Sequence, residues 1–216
     1  MNQSVRLAKM EQEVEKYIES LNKDDIFYDI GSCSGYFAIY ASNFVKSVYA
    51  FEPEPKNYLL SKQNCFEKSN IEVFNLAISD GSKNQVEMRV GQDYGGGHHK
   101  TLVTERYCGK ENIVSESYKK IVVSTDSLDN IIRKKMAPAP TTMKIDVDGS
   151  EYDLLLGASE TLKNINSMMI EINYRSPYYN NIVTLLENNN FKLHKEFKLK
   201  QKNCEGLHNC WYTKCG

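Results

Sequence analysis

Short, continuous apolar runs alternate with helical patterns along most of the 216-residue chain. Such runs begin at residues 26 ("IFYDI"), 47 ("SVYAF") and 141 ("TTMKIDV"), and the chain ends with "KLHKEFKL" and "NCWYT", which are typical of a closing pair of strands. Strands that are apolar on both faces occur in parallel sheets that are covered by helices on both sides. The alternation therefore predicts an α/β fold built on a mostly parallel sheet.

The same patterns assign individual elements. Apolar residues at helical spacing predict an amphipathic helix over residues ~4–22. We expect "IEVFNLAI", residues 71–78, to form one strand and "EYDLLLGASETL", residues 151–162, to form one helix. From Gly91 to about Lys120 no regular pattern is present.

The length of the chain fits one domain, since a domain usually has ~100–200 residues. No internal repeat and no linker divides the sequence. We therefore predict a single domain over residues 1–216, with an N-terminal helix in 1–22 and a cofactor-binding and catalytic core in 23–216.

Charge and hydropathy restrict the partners. The formal net charge is −1, whereas a general nucleic-acid binder needs a basic face to neutralise phosphates. No window approaches ~20 consecutive apolar residues, and the charged N-terminus lacks the apolar core of a signal peptide. We expect a cytoplasmic protein without nucleic-acid or membrane partners, and the oligomeric state stays open.

The cysteines raise the question of a zinc site near the C-terminus. Cys204, His208, Cys210 and Cys215 are close together, but their spacings fit structural zinc motifs poorly. In a strand, Cys210 and Trp211 would also point to opposite faces. Buried free thiols are therefore the favoured interpretation, since thiols stay reduced in the cytoplasm.

The segment "DIGSCSG" raises the question of a cofactor. Gly31 and Gly35 permit a tight turn and a close backbone approach after the first strand, and Glu52 ends the second strand, where it can hold a ribose diol. A dinucleotide loop has the pattern G-x-G-x-x-G, whereas this one is G-x-x-x-G and follows a carboxylate, Asp29. A carboxylate is unfavourable beside a diphosphate and favourable beside a cationic tail, such as the α-ammonium and sulfonium of S-adenosylmethionine.

A longer series of motifs resembles the FkbM family of S-adenosylmethionine-dependent methyltransferases, from about residue 26 to residue 174. The segments are "FYDIGSCSGYFAIYAS", "YAFEPEPKNYLL", "NLAISDGS", "STDSLDNII" and "MKIDVDGSEYDLLLGA". The family mostly has Glu where this chain has Asp148. The resemblance implies a Rossmann-like class I methyltransferase fold with a seven-stranded sheet, and O-methylation of hydroxyls on sugars, glycans or natural products.

The resemblance also implies the residues that bind the cofactor. They are Asp29, Gly31, Ser32 and Gly35 in the first loop, Glu52 and Pro53 at the ribose, and Asn75, Ala77 and Asp80 near the adenine. For Asn75 and Asp80 the alternative is turn formation, because "SDGSKN" is rich in turn formers.

The catalytic prediction centres on "KIDVDGSE". Asp146 and Asp148 leave the strand on the same side, and a strand end that faces the cofactor is where acceptors bind in this architecture. We assign Asp146 to orienting the acceptor hydroxyl and accepting its proton, with Asp148 in support. Glu171 is a further candidate, and the three carboxylates offer an alternative role as magnesium ligands. Glu151 is expected to cap a helix rather than to act in catalysis.

A glycine-rich segment, "GQDYGGGHHKT" at residues 91–101, is predicted to form a mobile loop over the acceptor pocket. Its His98 and His99 are catalytic candidates because histidine titrates near neutral pH. The alternative is a solvated surface loop without a function.

Two other functions also fit parts of the sequence. An NAD-type Rossmann oxidoreductase would need the third glycine that is missing here. A non-catalytic cofactor-binding subunit would keep the cofactor loop and lose the acidic cluster around Asp146. The sequence therefore predicts an S-adenosylmethionine-dependent O-methyltransferase with a small-molecule or glycan acceptor.

Overall fold

The computed structural model describes residues 11–91, 100–104, 106, 118–199 and 206–215. The helices are α1 (Gln12–Glu19), α2 (Tyr36–Ala41), α3 (Pro55–Asn64), α4 (Leu128–Arg133), α5 (Glu151–Leu156) and α6 (Tyr179–Asn188), with a 3-10 turn at Thr161–Asn164. The strands are β1 (Ile26–Ile30), β2 (Ser47–Phe51), β3 (Ile71–Phe74), β4 (Ala77–Ile78), β5 (Gln85–Gly91), β6 (Lys100–Val103), β7 (Tyr118–Asp126), β8 (Thr142–Ile145), β9 (Ser167–Asn173), β10 (Phe191–Lys198) and β11 (Leu207–Lys214).

The main sheet has seven strands in the order β10-β11-β9-β8-β1-β2-β3. The five strands from β9 to β3 in this order pair in parallel, and β11 runs antiparallel to both of its neighbours. The predicted Rossmann-like sheet with a closing antiparallel strand is therefore confirmed. Strand order reverses between β1 and β8, and ligands bind at the carboxyl ends of the strands at such a switch point.

The central strands are buried on both faces, as their apolar composition predicts. All four residues of β8 are buried. Phe27 belongs to the core on one face, with Phe37 from α2, and its neighbour Tyr28 belongs to the core on the other, with Leu154 from α5. Helices therefore cover both faces of the sheet near the switch point.

A second, four-stranded sheet has the order β4-β7-β5-β6. The expectation of a single strand over residues 71–78 is wrong, because β3 belongs to the main sheet and β4 to the second one. The chain leaves the main sheet at Asn75, whose side-chain amide donates to the carbonyls of Glu52 and Pro53, each at 2.9 Å. These bonds hold Asn75 against the end of β2, so that β4 starts in the other sheet.

The expected helix over residues 151–162 is also interrupted. It ends at Leu156 and a 3-10 turn follows from Thr161. Gly157 lies against a neighbouring segment so closely that a Cβ atom would be 2.2 Å from the Ser79 carbonyl oxygen. The tertiary contact therefore decides where the helix ends.

The N-terminal helix is described from Gln12 to Glu19, and residues 1–10 lie outside the described residues. Within the described part of the chain, no helix has the length and apolar character that crossing a membrane requires.

Tyr17 attaches α1 to the main sheet. Its side chain is fully buried, and its hydroxyl lies 3.1 Å from the Met143 carbonyl oxygen and 3.0 Å from that of Ser167.

We predict that Tyr17→Phe lowers the free energy of unfolding by about 1 kcal/mol, since the buried carbonyls lose a donor. Urea unfolding measures this change. Tyr40→Phe is the control, because it removes an exposed hydrogen bond to Glu19 and should change stability by less than about 0.5 kcal/mol; equal losses in the two variants would contradict the prediction.

Candidate functional site

The loop between β1 and α2 contains two glycines with left-handed backbone angles. Gly31 and Gly35 have φ values of +79° and +80°, a region that favours glycine. A Cβ atom on Gly31 would lie 1.8 Å from the Asp146 carbonyl oxygen, and one on Gly35 would lie 2.6 Å from the Ser61 hydroxyl oxygen. The Gly31 N–H donates to the Phe51 carbonyl at 2.9 Å. The loop thus holds the carboxyl ends of β1, β2 and β8 together.

Asp29 lies near the end of β1 and is completely buried. Its register neighbour on β8 is Lys144, whose Nζ lies 3.5 Å from Asp29 Oδ1. Apart from this long ion pair, neither carboxylate oxygen of Asp29 accepts a hydrogen bond of close, well-aligned geometry from the described part of the chain. Burial raises the pKa of Asp29, and the charge of Lys144 opposes this effect. Asp29 therefore retains capacity for hydrogen-bond donors.

Ser32 and Cys33 continue the loop toward β2. Ser32 is buried, and its hydroxyl also has no hydrogen-bond partner among the described residues. Cys33 has a φ of +49° and donates its backbone N–H to Glu52 Oε2 at 2.9 Å. The loop thus contributes an unpartnered hydroxyl and fixes the carboxylate that follows β2.

Glu52 is buried, with 3% of its surface exposed. Its Oε1 accepts a hydrogen bond from the Glu54 N–H at 2.9 Å and lies 3.4 Å from Lys100 Nζ. Burial raises the pKa of Glu52, and the charge of Lys100 opposes this effect. Sequence reasoning missed Lys100, which lies in the second sheet and reaches Glu52 through tertiary structure.

Three of the residues predicted near the ribose and adenine lie around the end of β2. Asn75 supports the carbonyls of Glu52 and Pro53, and Ala77 is buried at the start of β4. The amide of Asn75 is therefore engaged with the backbone. Contacts of Asn75, Pro53 and Ala77 with a cofactor stay predictions.

Asp80 takes part in a turn, which was the alternative to cofactor binding that the sequence allowed, and its contact with a cofactor stays a prediction. It accepts hydrogen bonds from the Ser82 N–H at 2.9 Å and from Arg106 Nη1 at 3.0 Å. The same guanidinium pairs with Asp153, whose side chain is fully buried. Burial acts to raise the pKa of Asp80, but the bonds from Ser82 and Arg106 outweigh it and lower the pKa. Arg106 was not foreseen, because it lies in a stretch without a pattern.

An acidic cluster lies at the ends of β8 and β9. Carboxylate oxygens of Asp146, Asp148 and Glu171 lie within 4.8 Å of one another. Burial, and then the charges of Asp146 and Asp148, raise the pKa of Glu171. The structure brings together the three carboxylates that the sequence indicated, and their catalytic or metal-binding roles stay predictions.

A lysine ammonium and a backbone N–H contact this cluster. Lys144 Nζ lies 3.3 Å from Asp146 Oδ2, and the backbone N–H of Lys100 donates to Asp148 Oδ2 at 3.0 Å. The signal for Lys144 was a charged residue inside the apolar run "TTMKIDV". The oxygen donors suit a divalent cation such as Mg²⁺, although Asp146 already has an ammonium beside it.

Two glutamates lie near the acidic cluster. Glu151 is buried at the start of α5, and its Oε1 accepts a hydrogen bond from the Gly149 N–H at 2.8 Å. Gly149 precedes the helix, so this bond supports the turn before α5, and the expected capping role stays a prediction. Burial raises the pKa of Glu151 to about 7. Burial, and then the charge of Asp146, raise the pKa of Glu11 to about 7. Glu11 precedes α1, so sequence spacing alone did not connect it with this site.

The histidine candidates cannot be placed. His98 and His99 lie outside the described residues, so the predicted loop over the acceptor pocket stays a prediction. The ends of the 91–101 segment are strands rather than a loop, since Gly91 ends β5 and Lys100 begins β6.

For the C-terminal zinc alternative, Cys204 also lies outside the described residues. The imidazole of His208 pairs with Glu196, and Cys210 is a buried free thiol. A metal ion needs at least three Asp, Glu, His or Cys side chains close together. Among the described residues, the acidic cluster meets this condition, and the C-terminal cysteines and histidine do not.

The raised pKa of Glu151 predicts a pH-dependent stability. A carboxyl whose pKa rises from 4.5 to about 7 on folding stabilises the fold at low pH and loses this contribution as the pH rises through 7. We predict that the free energy of unfolding of Glu151→Gln, relative to the unmodified protein, rises by about 2–3 kcal/mol between pH 5 and pH 8. Urea unfolding at the two pH values measures the difference.

The matched control is Glu160→Gln, which removes an exposed carboxylate that is paired with Lys163. Its stability relative to the unmodified protein should not depend on pH over this range. A Glu151→Gln difference that is also independent of pH would show that Glu151 is ionised in the folded protein at pH 5.

One relative of this chain is named as a hexuronic acid methyltransferase. The chain is 26% identical over 172 residues to the hexuronic acid methyltransferase AglP of Haloferax volcanii, a match that covers 78% of this chain and 64% of AglP. The chain thus spans less than two thirds of the length of this relative.

Several solved structures have the same fold. A methyltransferase FkbM from Methylobacillus flagellatus KT matches with a TM-score of 0.57 and 16% identity, over 89% of this chain and 44% of that protein. An rRNA methylase from Streptococcus thermophilus matches with a TM-score of 0.57 and 13% identity, over 95% of both chains. Sp1610 from Streptococcus pneumoniae, solved in complex with S-adenosyl-L-methionine, matches with a TM-score of 0.57 and 13% identity, over 96% of this chain and 73% of Sp1610. At these identities the likeness establishes a Rossmann-like fold.

The family itself is established by sequence. The model of the methyltransferase FkbM domain matches residues 25–193, which is most of the chain and contains the glycine loop, Glu52 and the acidic cluster. The protein therefore belongs to the FkbM methyltransferase domain family.

Proposed function

We propose that this protein binds S-adenosylmethionine and methylates a hydroxyl oxygen on a sugar or glycan. The observation that carries the proposal is the arrangement of Asp29 and Glu52, two buried carboxylates that flank the glycine loop beside the switch point of the sheet. Family membership supports methyl transfer, and Sp1610, which has the same fold, was solved with this cofactor.

The residues present fit this cofactor. The buried hydroxyl of Ser32 has no hydrogen-bond partner in the described part of the chain, whereas buried polar groups of this kind are normally satisfied. Asp29 has only a long ion pair with Lys144, at 3.5 Å, so it can accept further donors. Asp29 would hold the cationic tail of the cofactor, and Glu52 would accept hydrogen bonds from the ribose diol. When bound, the cofactor supplies an electrophilic methyl group on a sulfonium.

The acidic cluster suits the acceptor side. The side chain of Asp146 is 32% exposed, whereas that of Asp29 is fully buried. Asp146 is therefore accessible to an acceptor hydroxyl, which would donate to it and pass it the proton released on methylation. Positioning can contribute ~7–11 kcal/mol, and a general base ~10²–10⁴-fold in rate, so orientation of the hydroxyl is the larger contribution.

A sugar acceptor is supported by the relative AglP, whose name gives a hexuronic acid as its substrate. Sugar hydroxyls are neutral donors that carboxylates bind well. The NAD-type alternative has no support from the family match, which is to methyltransferases. A non-catalytic subunit would bind the cofactor without turnover, and the experiments below separate it from an enzyme.

The first test concerns the cofactor carboxylates. Asp29→Asn and Glu52→Gln should each weaken the binding of S-adenosylhomocysteine by roughly ten- to a hundredfold, because a hydrogen bond to a charged group contributes ~1.5–3 kcal/mol. Calorimetric titration measures the affinities. Glu72→Gln, at an exposed position on β3, is the control and should bind as the unmodified protein does. Unchanged affinity in both site variants would refute the assignment.

The second test concerns Asp146. With a methyl-labelled cofactor and a panel of hexoses, hexuronic acids and oligosaccharides, Asp146→Asn should lower kcat by ~10²-fold or more. Its affinity for S-adenosylhomocysteine should stay within about threefold, because an acceptor-side group acts mainly in the transition state. If cofactor binding fails together with turnover, Asp146 belongs to the cofactor pocket.

A chelator separates the two roles of the acidic cluster. EDTA should leave turnover intact if Asp146 acts directly on the hydroxyl. Loss of turnover that Mg²⁺ restores would assign Asp146, Asp148 and Glu171 to a metal site instead.

A further inference from the structure

Lys144 is a buried lysine in the middle of the main sheet. It lies on β8 between β1 and β9, with 3% of its surface exposed. Its Nζ lies 3.5 Å from Asp29 Oδ1, 3.3 Å from Asp146 Oδ2 and 3.4 Å from the Gly31 carbonyl oxygen. It also lies 5.3 Å from the centre of the Phe37 ring. The ammonium of Lys144 thus contacts two carboxylates, Asp29 on the proposed cofactor side and Asp146 on the proposed acceptor side.

The chemistry of a lysine suits this position. An ammonium is a compact charge with three donors, and three oxygens from three different residues surround it here. The ring of Phe37 and the neighbouring strands β1 and β9 limit the positions that the ammonium group can occupy. The ammonium therefore restricts the orientations open to both carboxylates.

The local charge balance shows that Lys144 is not simply one half of an ion pair. Asp29, Asp146 and Glu11 all act electrostatically on this one cation. Breaking a buried pair leaves an uncompensated charge, which is strongly unfavourable. A lysine needed only to neutralise Asp29 would not have to contact Asp146, whose side chain is 32% exposed and can be hydrated by water.

We propose that Lys144 is a positioning residue that couples the cofactor and acceptor sites. It holds Asp29 toward the cationic tail of the cofactor and Asp146 toward the acceptor hydroxyl, so that the sulfonium and the hydroxyl are aligned by a single charge. This inference rests on the proposed function of the site, and it assigns Lys144 no direct contact with the reacting atoms.

A double-mutant cycle on kcat tests the link to Asp146. Lys144→Met alone should lower kcat at least tenfold, whereas in an Asp146→Asn background it should lower kcat less than threefold, because a residue that acts through another loses its effect when that residue is changed. A purely structural lysine would lower kcat by the same factor in both backgrounds, and that result would overturn the proposal.

A second cycle uses binding and does not depend on turnover. Lys144→Met should weaken S-adenosylhomocysteine binding at least fivefold, and this effect should fall below twofold in an Asp29→Asn background. If the unmodified protein methylates no acceptor, the proposed transfer function fails, and this cycle still decides the role of Lys144. An equal loss of affinity in both backgrounds would overturn the proposal.

A second variant at the same position keeps the test valid if Lys144→Met does not fold. Lys144→Arg keeps the charge but replaces the compact ammonium by a larger planar group, so kcat should fall about tenfold while S-adenosylhomocysteine affinity stays within about threefold; an unchanged kcat would overturn the proposal. Lys163→Met, which removes an exposed lysine paired with Glu160, is the control for loss of a lysine and should leave kcat and affinity unchanged.

Discussion

The parallel pairing of β1 with β8 is the contact on which the site depends. In this register Asp29 is opposite Lys144, and the two side chains point to the same face of the sheet. A shift by one residue would send every side chain of a strand to the opposite face, which would separate the carboxylate from its cation. Gly31 fixes the end of this pairing, because any larger residue would collide with the Asp146 carbonyl.

The site concentrates carboxylates in a buried region, and burying their negative charge lowers the stability of the folded protein. Burial raises the pKa values of Asp29, Glu52 and Glu171, which means that folding disfavours their ionised forms. Lys144 and Lys100 offset part of this cost through their contacts with Asp29 and Glu52. A ligand that carries positive charge would relieve more of it, so the electrostatics that oppose folding also favour a cationic cofactor.

The sequence predicted those features that depend on local pattern. The strands of the main sheet follow from continuous apolar runs, and the glycine loop, Glu52 and the Asp146–Asp148 pair follow from residues that are adjacent to strand ends. What escaped prediction depends on tertiary contacts. The separation of β3 from β4 rests on hydrogen bonds between Asn75 and the end of β2.

The long-range cations escaped prediction for the same reason. Lys100 reaches Glu52 from a different sheet, and Arg106 pairs with Asp153 across a separation of 47 residues. No periodicity connects such residues. Lys144 is different, because the sequence shows it as a charged residue within an apolar strand. A lysine in such a position must find a partner or remain uncharged.

Lys100 shows how the second sheet contributes to the site. It begins β6, and while its Nζ contacts Glu52 its backbone N–H donates to Asp148. The residue therefore touches the end of β2, where the ribose is expected, and the segment after β8, where the acceptor is expected. A ribose hydroxyl that donates to Glu52 must share that carboxylate with Lys100, since Oε1 already lies within 3.4 Å of its ammonium. Lys100 thus contacts carboxylates at the ends of two different strands of the main sheet, as Lys144 does with Asp29 and Asp146.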